Sequence, residues 1–197
     1  MNLPNKLTIS RMCLIPVFIA VFYLDVIPCN YLIAAVVFAV AALTDMLDGY
    51  IARSRNLVTN FGKFLDPVAD KVLVASAFIV MLTRPQIFEI SVFEGWGTTV
   101  AGIFVAVILA RELIISGFRM VAAERKIVIA ADKMGKIKTT CQDVAIVLML
   151  SSMSFLETET GKIFAYIGLA FFAACVFFTV ISGVNYLVKN RRVLCED

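Results

Sequence analysis

The sequence predicts an all-α integral membrane protein with six transmembrane helices, and three observations carry that reading. The 197 residues are 61% hydrophobic, against roughly 45–50% apolar in an ordinary soluble domain, and their mean hydropathy is +0.92. The apolar residues form long solid runs between short charged islands, not the alternating pattern of lipid-facing strands. The basic residues cluster at alternate connections between those runs, as a helical bundle threaded back and forth through a membrane requires.

A helix rises about 1.5 Å per residue, so each span needs about 20 residues. The first span covers 8–25, TISRMCLIPVFIAVFYLD, after a short interfacial lead-in at 1–7 with Pro4 near a helix start. Lys6 and Arg11 before this run resemble the start of a signal peptide. No small-residue cleavage site follows, so the run is expected to stay as a membrane helix. The second span, 30–55, opens with NYLIAAVVFAVAAL, and the third covers 65–83. The fourth covers 97–122, the fifth 136–154 and the sixth 161–188, before a polar tail at 189–197. No repeat or separate soluble segment interrupts the series, so 1–197 reads as a single membrane domain.

Six spans place Lys6, Arg11, Arg53, Arg55, Lys63, Lys71, Arg119, Arg125, Lys126, Lys133, Lys136, Lys138, Lys189, Arg191 and Arg192 on one side. The other side has Arg84 and Lys162 beside Asp25, Glu89, Glu94, Glu157 and Glu159. The positive-inside rule then puts both termini in the cytoplasm. Histidine is absent, which excludes His-based acid–base chemistry, Ser-His-Asp triads and His-ligated zinc. Cys13, Cys29, Cys141, Cys175 and Cys195 are scattered without a C-x-x-C pair and read as apolar packing residues.

Against this apolar background, TDMLDGYIARSRNLVTNFGKFLDPVADK (44–71) carries four aspartates. Asp45 and Asp48 are three apart and Asp66 and Asp70 four apart, so each pair shares a helix face. The eight residues between Arg53 and Gly62 suffice for a turn between antiparallel helices, which would bring the two pairs together across one cavity. An ionised aspartate at a helix centre in lipid costs about 2.5–3.5 kcal/mol, and four also repel. An oxygen-only set of this kind suits one or two hard divalent cations, Mg²⁺ or Mn²⁺. Gly49, Ala52 and Gly62 remove side-chain bulk beside the acids and allow a ligand close to the backbone. Small residues also serve helix packing in membranes.

Asp45, Asp48, Gly49, Ala52, Arg53, Gly62, Asp66 and Asp70 fit D-x2-D-G-x2-A-R-x8-G-x3-D-x3-D at every fixed position. The stretch resembles the signature of the CDP-alcohol phosphatidyltransferases. That resemblance implies six membrane helices, and the basic-residue asymmetry turns the active-site cavity, like the termini, toward the cytoplasm. It implies that Asp45, Asp48, Asp66 and Asp70 hold the metal, that the metal grips the pyrophosphate of a CDP-linked lipid, and that Asp70 is the catalytic base. Asp48, Gly49, Ala52, Arg53 and Gly62 would bind the CDP-lipid. Asn5, Thr8 and Arg11 would lie near its nucleotide end, although Asn5 and Thr8 are also residue types that cap a helix.

The motif does not name the acceptor alcohol. In the fourth span, RELIISGFRMVAAERK places Arg111 inside the membrane beside Glu112, with Arg119 eight residues on. Lys136 and Lys138 open the fifth. An intramembrane arginine is a functional candidate by default, and these four cations suit a phosphate monoester. Arg125, Lys126 and Lys133 read as topological charges. A phosphorylated acceptor points to glycerol 3-phosphate, and NLPNKLTISRMCLIPVF, LVTNFGKFLDPVADKVLVA, ARELIISGFR and GKIKTT resemble the bacterial branch of the family that uses it. The expected activity is transfer of a phosphatidyl group from CDP-diacylglycerol to glycerol 3-phosphate at the inner (cytoplasmic) membrane, by a homodimer with no nucleic-acid partner. Serine would not need the basic cluster; an inositol phosphate would. A cation transporter would account for buried carboxylates, but not for the gapped Gly/Ala/Arg pattern.

Overall fold

The computed structural model describes residues 3–54, 60–90, 95–125 and 133–190, with the side chains of 3–7, 45–54, 60–67 and 133 outside the description. Seven helices account for nearly all of these residues: α1 (Leu3–Tyr23), α2 (Asn30–Ser54), α3 (Asn60–Leu82), the short α4 (Gln86–Glu89), α5 (Gly97–Glu124), α6 (Lys133–Met153) and α7 (Glu159–Lys189). Among the described residues there is no strand.

The six long helices match the six apolar runs, with ends shifted by up to five residues, mostly toward earlier starts. α1 begins at Leu3, not 8, and α3 at Asn60, not 65. The sequence boundaries follow where hydropathy changes, whereas a helix continues as long as its backbone hydrogen bonds do. The earlier start of α1 also corrects one reading: Asn5 and Thr8 lie inside the helix, so neither caps it. α4, a single turn after Pro85, has no signature in the apolar pattern.

α5 and α7 are each long and apolar enough to cross a membrane, and α1 and α2 contain shorter apolar stretches, Thr8–Tyr23 and Asn30–Thr44. Only 22% of the apolar window in α5 and 28% in α7 is buried. The core helix of a soluble protein would bury most of it. Val36, Val40, Leu43, Ile103, Leu113, Phe177 and Val184 are instead exposed along the bundle's flanks. A large apolar surface of this kind fits a membrane protein.

α6 sits centrally, packed against α7, α2 and α3, while α1 packs on α2 and α3 and α5 on α7 and α3. The main core runs through Phe18, Phe22, Phe38, Phe78, Met81, Ile108, Met149 and Phe172. A Cβ at Gly168 of α7 would lie 2.8 Å from Met149 Cγ and 3.1 Å from Met149 N, so glycine permits the close α6–α7 approach. Three connections meet at one end of the bundle. Arg84 donates to Asp25 at 2.8 Å, Tyr23 and Thr83 share a hydroxyl hydrogen bond of 2.9 Å, and Leu32 N donates to Ser154 Oγ at 2.9 Å. The aspartate-bearing segments of α2 and α3 run to the opposite end.

Candidate active site

The motif is divided between two helices in contact. α2 carries Asp45, Asp48, Gly49, Ala52 and Arg53; α3 carries Gly62, Asp66 and Asp70. Both backbones are helical at these positions, so the three- and four-residue spacings keep each aspartate pair on one face. The side chains of Asn5, Asp45, Asp48, Gly49, Ala52, Arg53, Gly62 and Asp66 lie outside the described residues. Asp70 is described: it is half-buried and lines a cavity of about 210 Å³ with Lys71, Glu112, Lys138 and Gln142. Val72 and Leu113, both exposed, also line it. A carboxylate on this wall, on a helix packed against another that bears two more, is compatible with a hard divalent cation. Thr8 and Arg11 are buried in α1.

Across the cavity from α3, a polar network joins α5, α6 and α7. Glu112 Oε1 accepts from Lys138 Nζ at 2.5 Å and from Arg111 Nη1 at 3.2 Å. Lys138 is almost wholly buried, and a buried ammonium demands a counter-charge. Lys71 Nζ donates to Ser116 Oγ, which donates to the Glu112 carbonyl at 2.6 Å. Lys71 is thereby tied to the same turn of α5.

The two predicted arginines differ. Arg111 is committed to the protein: Nη1 donates to Glu112 and Nη2 to Ser182 Oγ at 3.0 Å, while Nε is buried without a partner among the described residues. α7 approaches it so closely that a Cβ on Gly183 would lie 3.2 Å from Arg111 Cγ. Arg119 is exposed, and its Nε donates to the Tyr186 hydroxyl at 3.1 Å, with the guanidinium carbon 5.5 Å from the ring centroid. Lys136 is exposed one turn before the cavity-lining Thr139. The structure therefore gathers Asp70, Lys71, Glu112 and Lys138 at one cavity, ties Arg111 to Glu112 beside it, and leaves Arg119 and Lys136 outward.

Sequence reasoning missed Ser116, Gln142, Ser182 and Tyr186. α7 reads as a generic apolar span, yet Cys175, Thr179, Ser182 and Tyr186 are spaced four, three and four residues apart and all buried. That period is the signal of one helix face. Cys175 Sγ lies 3.8 Å from Gln142 Oε1, and Ser182 Oγ accepts from Arg111 Nη2 at 3.0 Å, so this part of the stripe faces the network.

The family model for CDP-alcohol phosphatidyltransferase matches residues 1–186, from before the motif through to Tyr186. The chain belongs to the CDP-alcohol phosphatidyltransferase family. A Bacillus subtilis (strain 168) CDP-diacylglycerol–glycerol-3-phosphate 3-phosphatidyltransferase is 40% identical over 205 residues, covering 98% of this chain and 97% of the relative. The enzyme of the same name from Escherichia coli (strain K12) is 38% identical over 198 residues, covering 100% and 98%. That from Rickettsia bellii (strain RML369-C) is 37% identical over 196 residues, covering 97% and 96%. The CDP-alcohol phosphatidyltransferases are generally dependent on divalent metal.

Proposed function

We propose that this phosphatidyltransferase moves the phosphatidyl group of CDP-diacylglycerol to sn-glycerol 3-phosphate, giving phosphatidylglycerophosphate and CMP in anionic phospholipid synthesis. The observation that carries this reading is the near-complete, end-to-end similarity to enzymes of that name. The cationic wall formed by α5 and α6 supports it independently, since serine would have no use for it.

The acceptor hydroxyl attacks the phosphorus that bears the diacylglycerol, the bond from that phosphorus to the CMP oxygen breaks, and CMP leaves. Asp70, on the cavity wall, takes the hydroxyl proton as general base. Asp45, Asp48, Asp66 and Asp70 would hold Mg²⁺ or Mn²⁺, which supplies charge neutralisation at the pyrophosphate. Asp48, Gly49, Ala52, Arg53 and Gly62, with Asn5 and Thr8 from α1, bind the CDP-lipid. Arg119 and Lys136 present cations to the acceptor phosphate. Lys138 on the cavity wall and Arg111 beside it contribute positive potential, both held by Glu112.

The lipid tails of the donor never leave the bilayer, so the reacting end of the bundle sits at a membrane surface. The charge asymmetry supports six spans, with that end and both termini in the cytoplasm and the whole of 1–197 as one domain in the inner membrane. A homodimer is the expected assembly. CMP release from CDP-diacylglycerol by purified protein, compared with glycerol 3-phosphate, serine and inositol phosphate, tests the assignment. Glycerol 3-phosphate should be the preferred acceptor. Chelation should abolish release and Mg²⁺ or Mn²⁺ restore it. Equal or greater release with either competitor would overturn the acceptor; full turnover after chelation would overturn the metal site.

A further inference from the structure

We infer that Tyr186 of α7 is a positioning residue for the acceptor phosphate, acting through Arg119; this rests on the glycerol 3-phosphate reading above. A guanidinium recognises phosphate best with two N–H groups along one edge, and only if that edge is held in place. Arg119 lies on the outer turn of α5 and is exposed, so by itself its long side chain would sample many rotamers. Tyr186 restrains it in two ways. The hydroxyl accepts from Nε at 3.1 Å, and the ring lies under the guanidinium at 5.5 Å. The hydrogen bond takes the Nε–H and the ring takes one face of the group, so the edge formed by the two Nη groups is the one a phosphate would use.

Tyr186 is itself fixed. It is buried in a small cluster with Ile115, Phe118 and Ala122, and its ring meets that of Phe118 edge-on at 5.8 Å. The contrast with Arg111 separates the two arginines. Ser182, one turn earlier on α7, and Glu112 occupy both terminal nitrogens of Arg111. α7 therefore meets the two arginines differently, at a terminal nitrogen of Arg111 through Ser182 and at Nε of Arg119 through Tyr186.

Tyr186→Phe keeps the ring and its packing and removes only the acceptor oxygen. It should raise the KM for glycerol 3-phosphate about 3- to 10-fold, the scale of one hydrogen bond to a charged group at a partly exposed site. The KM for CDP-diacylglycerol and kcat should stay near wild type. In an Arg119→Ala background the same change should add nothing further, since the residue it positions is gone. An unchanged KM for glycerol 3-phosphate in Tyr186→Phe would overturn the proposal, and so would a full further loss in the Arg119→Ala background. The wild-type arm separates this from the underlying assignment: if the unmodified enzyme fails to use glycerol 3-phosphate, the acceptor reading fails first.

Discussion

Both ends of the helix bundle join neighbouring elements through ion pairs, and the two sets differ in shelter. Where the α1–α2 and α3–α4 connections meet, Arg84 and Asp25 pair at 2.8 Å with side chains 29% and 61% exposed. The hydrogen bond to Asp25 raises the Arg84 pKa above its ordinary value, so the guanidinium stays charged at any working pH and salt weakens the pair. At the aspartate-bearing end, Lys138 and Glu112 pair at 2.5 Å with side chains 2% and 22% exposed. An exposed pair contributes about 0.2–1 kcal/mol. A sheltered one loses much of its attraction to desolvation, yet removing one member strands a buried charge. The first pair is a surface tie. The second organises a site, because Glu112 also holds Arg111 and, through Ser116, the helix turn that receives Lys71.

Substitutions at the two ends should separate accordingly. The largest effect is expected at Asp70, on the cavity wall. Asp70→Asn should lower kcat by about 10²–10⁴, the usual yield of a positioned general base, and change CDP-diacylglycerol binding far less. Equal losses in turnover and binding would make Asp70 chiefly a metal ligand. Next is Glu112→Gln, which leaves the Lys138 ammonium buried without a counter-charge. It should cost about 3–5 kcal/mol of stability, seen as a lower unfolding temperature of the solubilised enzyme. Adding Lys138→Met should restore much of that loss. An unfolding temperature equal to wild type for Glu112→Gln alone would show that the pair is not sheltered. The smallest effect belongs to the other end: Asp25→Ala should cost no more than about 1 kcal/mol and leave both KM values at wild type.

The same contrast explains what could be read from sequence. The six long helices were legible because their apolar runs are continuous, and the aspartate motif because its gaps match helix periodicity. Arg111 stands out in sequence as a charge within an apolar run, which is costly in lipid. The pairing of Lys138 with Glu112 has no local signal, since it joins residues 26 apart on separate helices, and the sequence alone points Lys138 to a phosphate. Tyr186 and Ser182 were passed over because single polar residues in an apolar span carry little signal until a neighbour is known to face them. α4 was invisible because one turn is too short for any period.

The claim on which the account turns is that the cationic wall of α5 and α6 serves the acceptor and the α2–α3 motif serves the donor. The most direct test is to measure both KM values for Arg119→Ala in the same lipid or detergent. An arginine–phosphate contact in a sheltered pocket is worth about 1.5–3 kcal/mol, roughly 10- to 150-fold in affinity. The account predicts a rise of that order, or somewhat below it because Arg119 is exposed, in the KM for glycerol 3-phosphate. The KM for CDP-diacylglycerol should be nearly unchanged. A variant that binds CDP-diacylglycerol poorly and glycerol 3-phosphate normally would assign this wall to the donor and contradict the account.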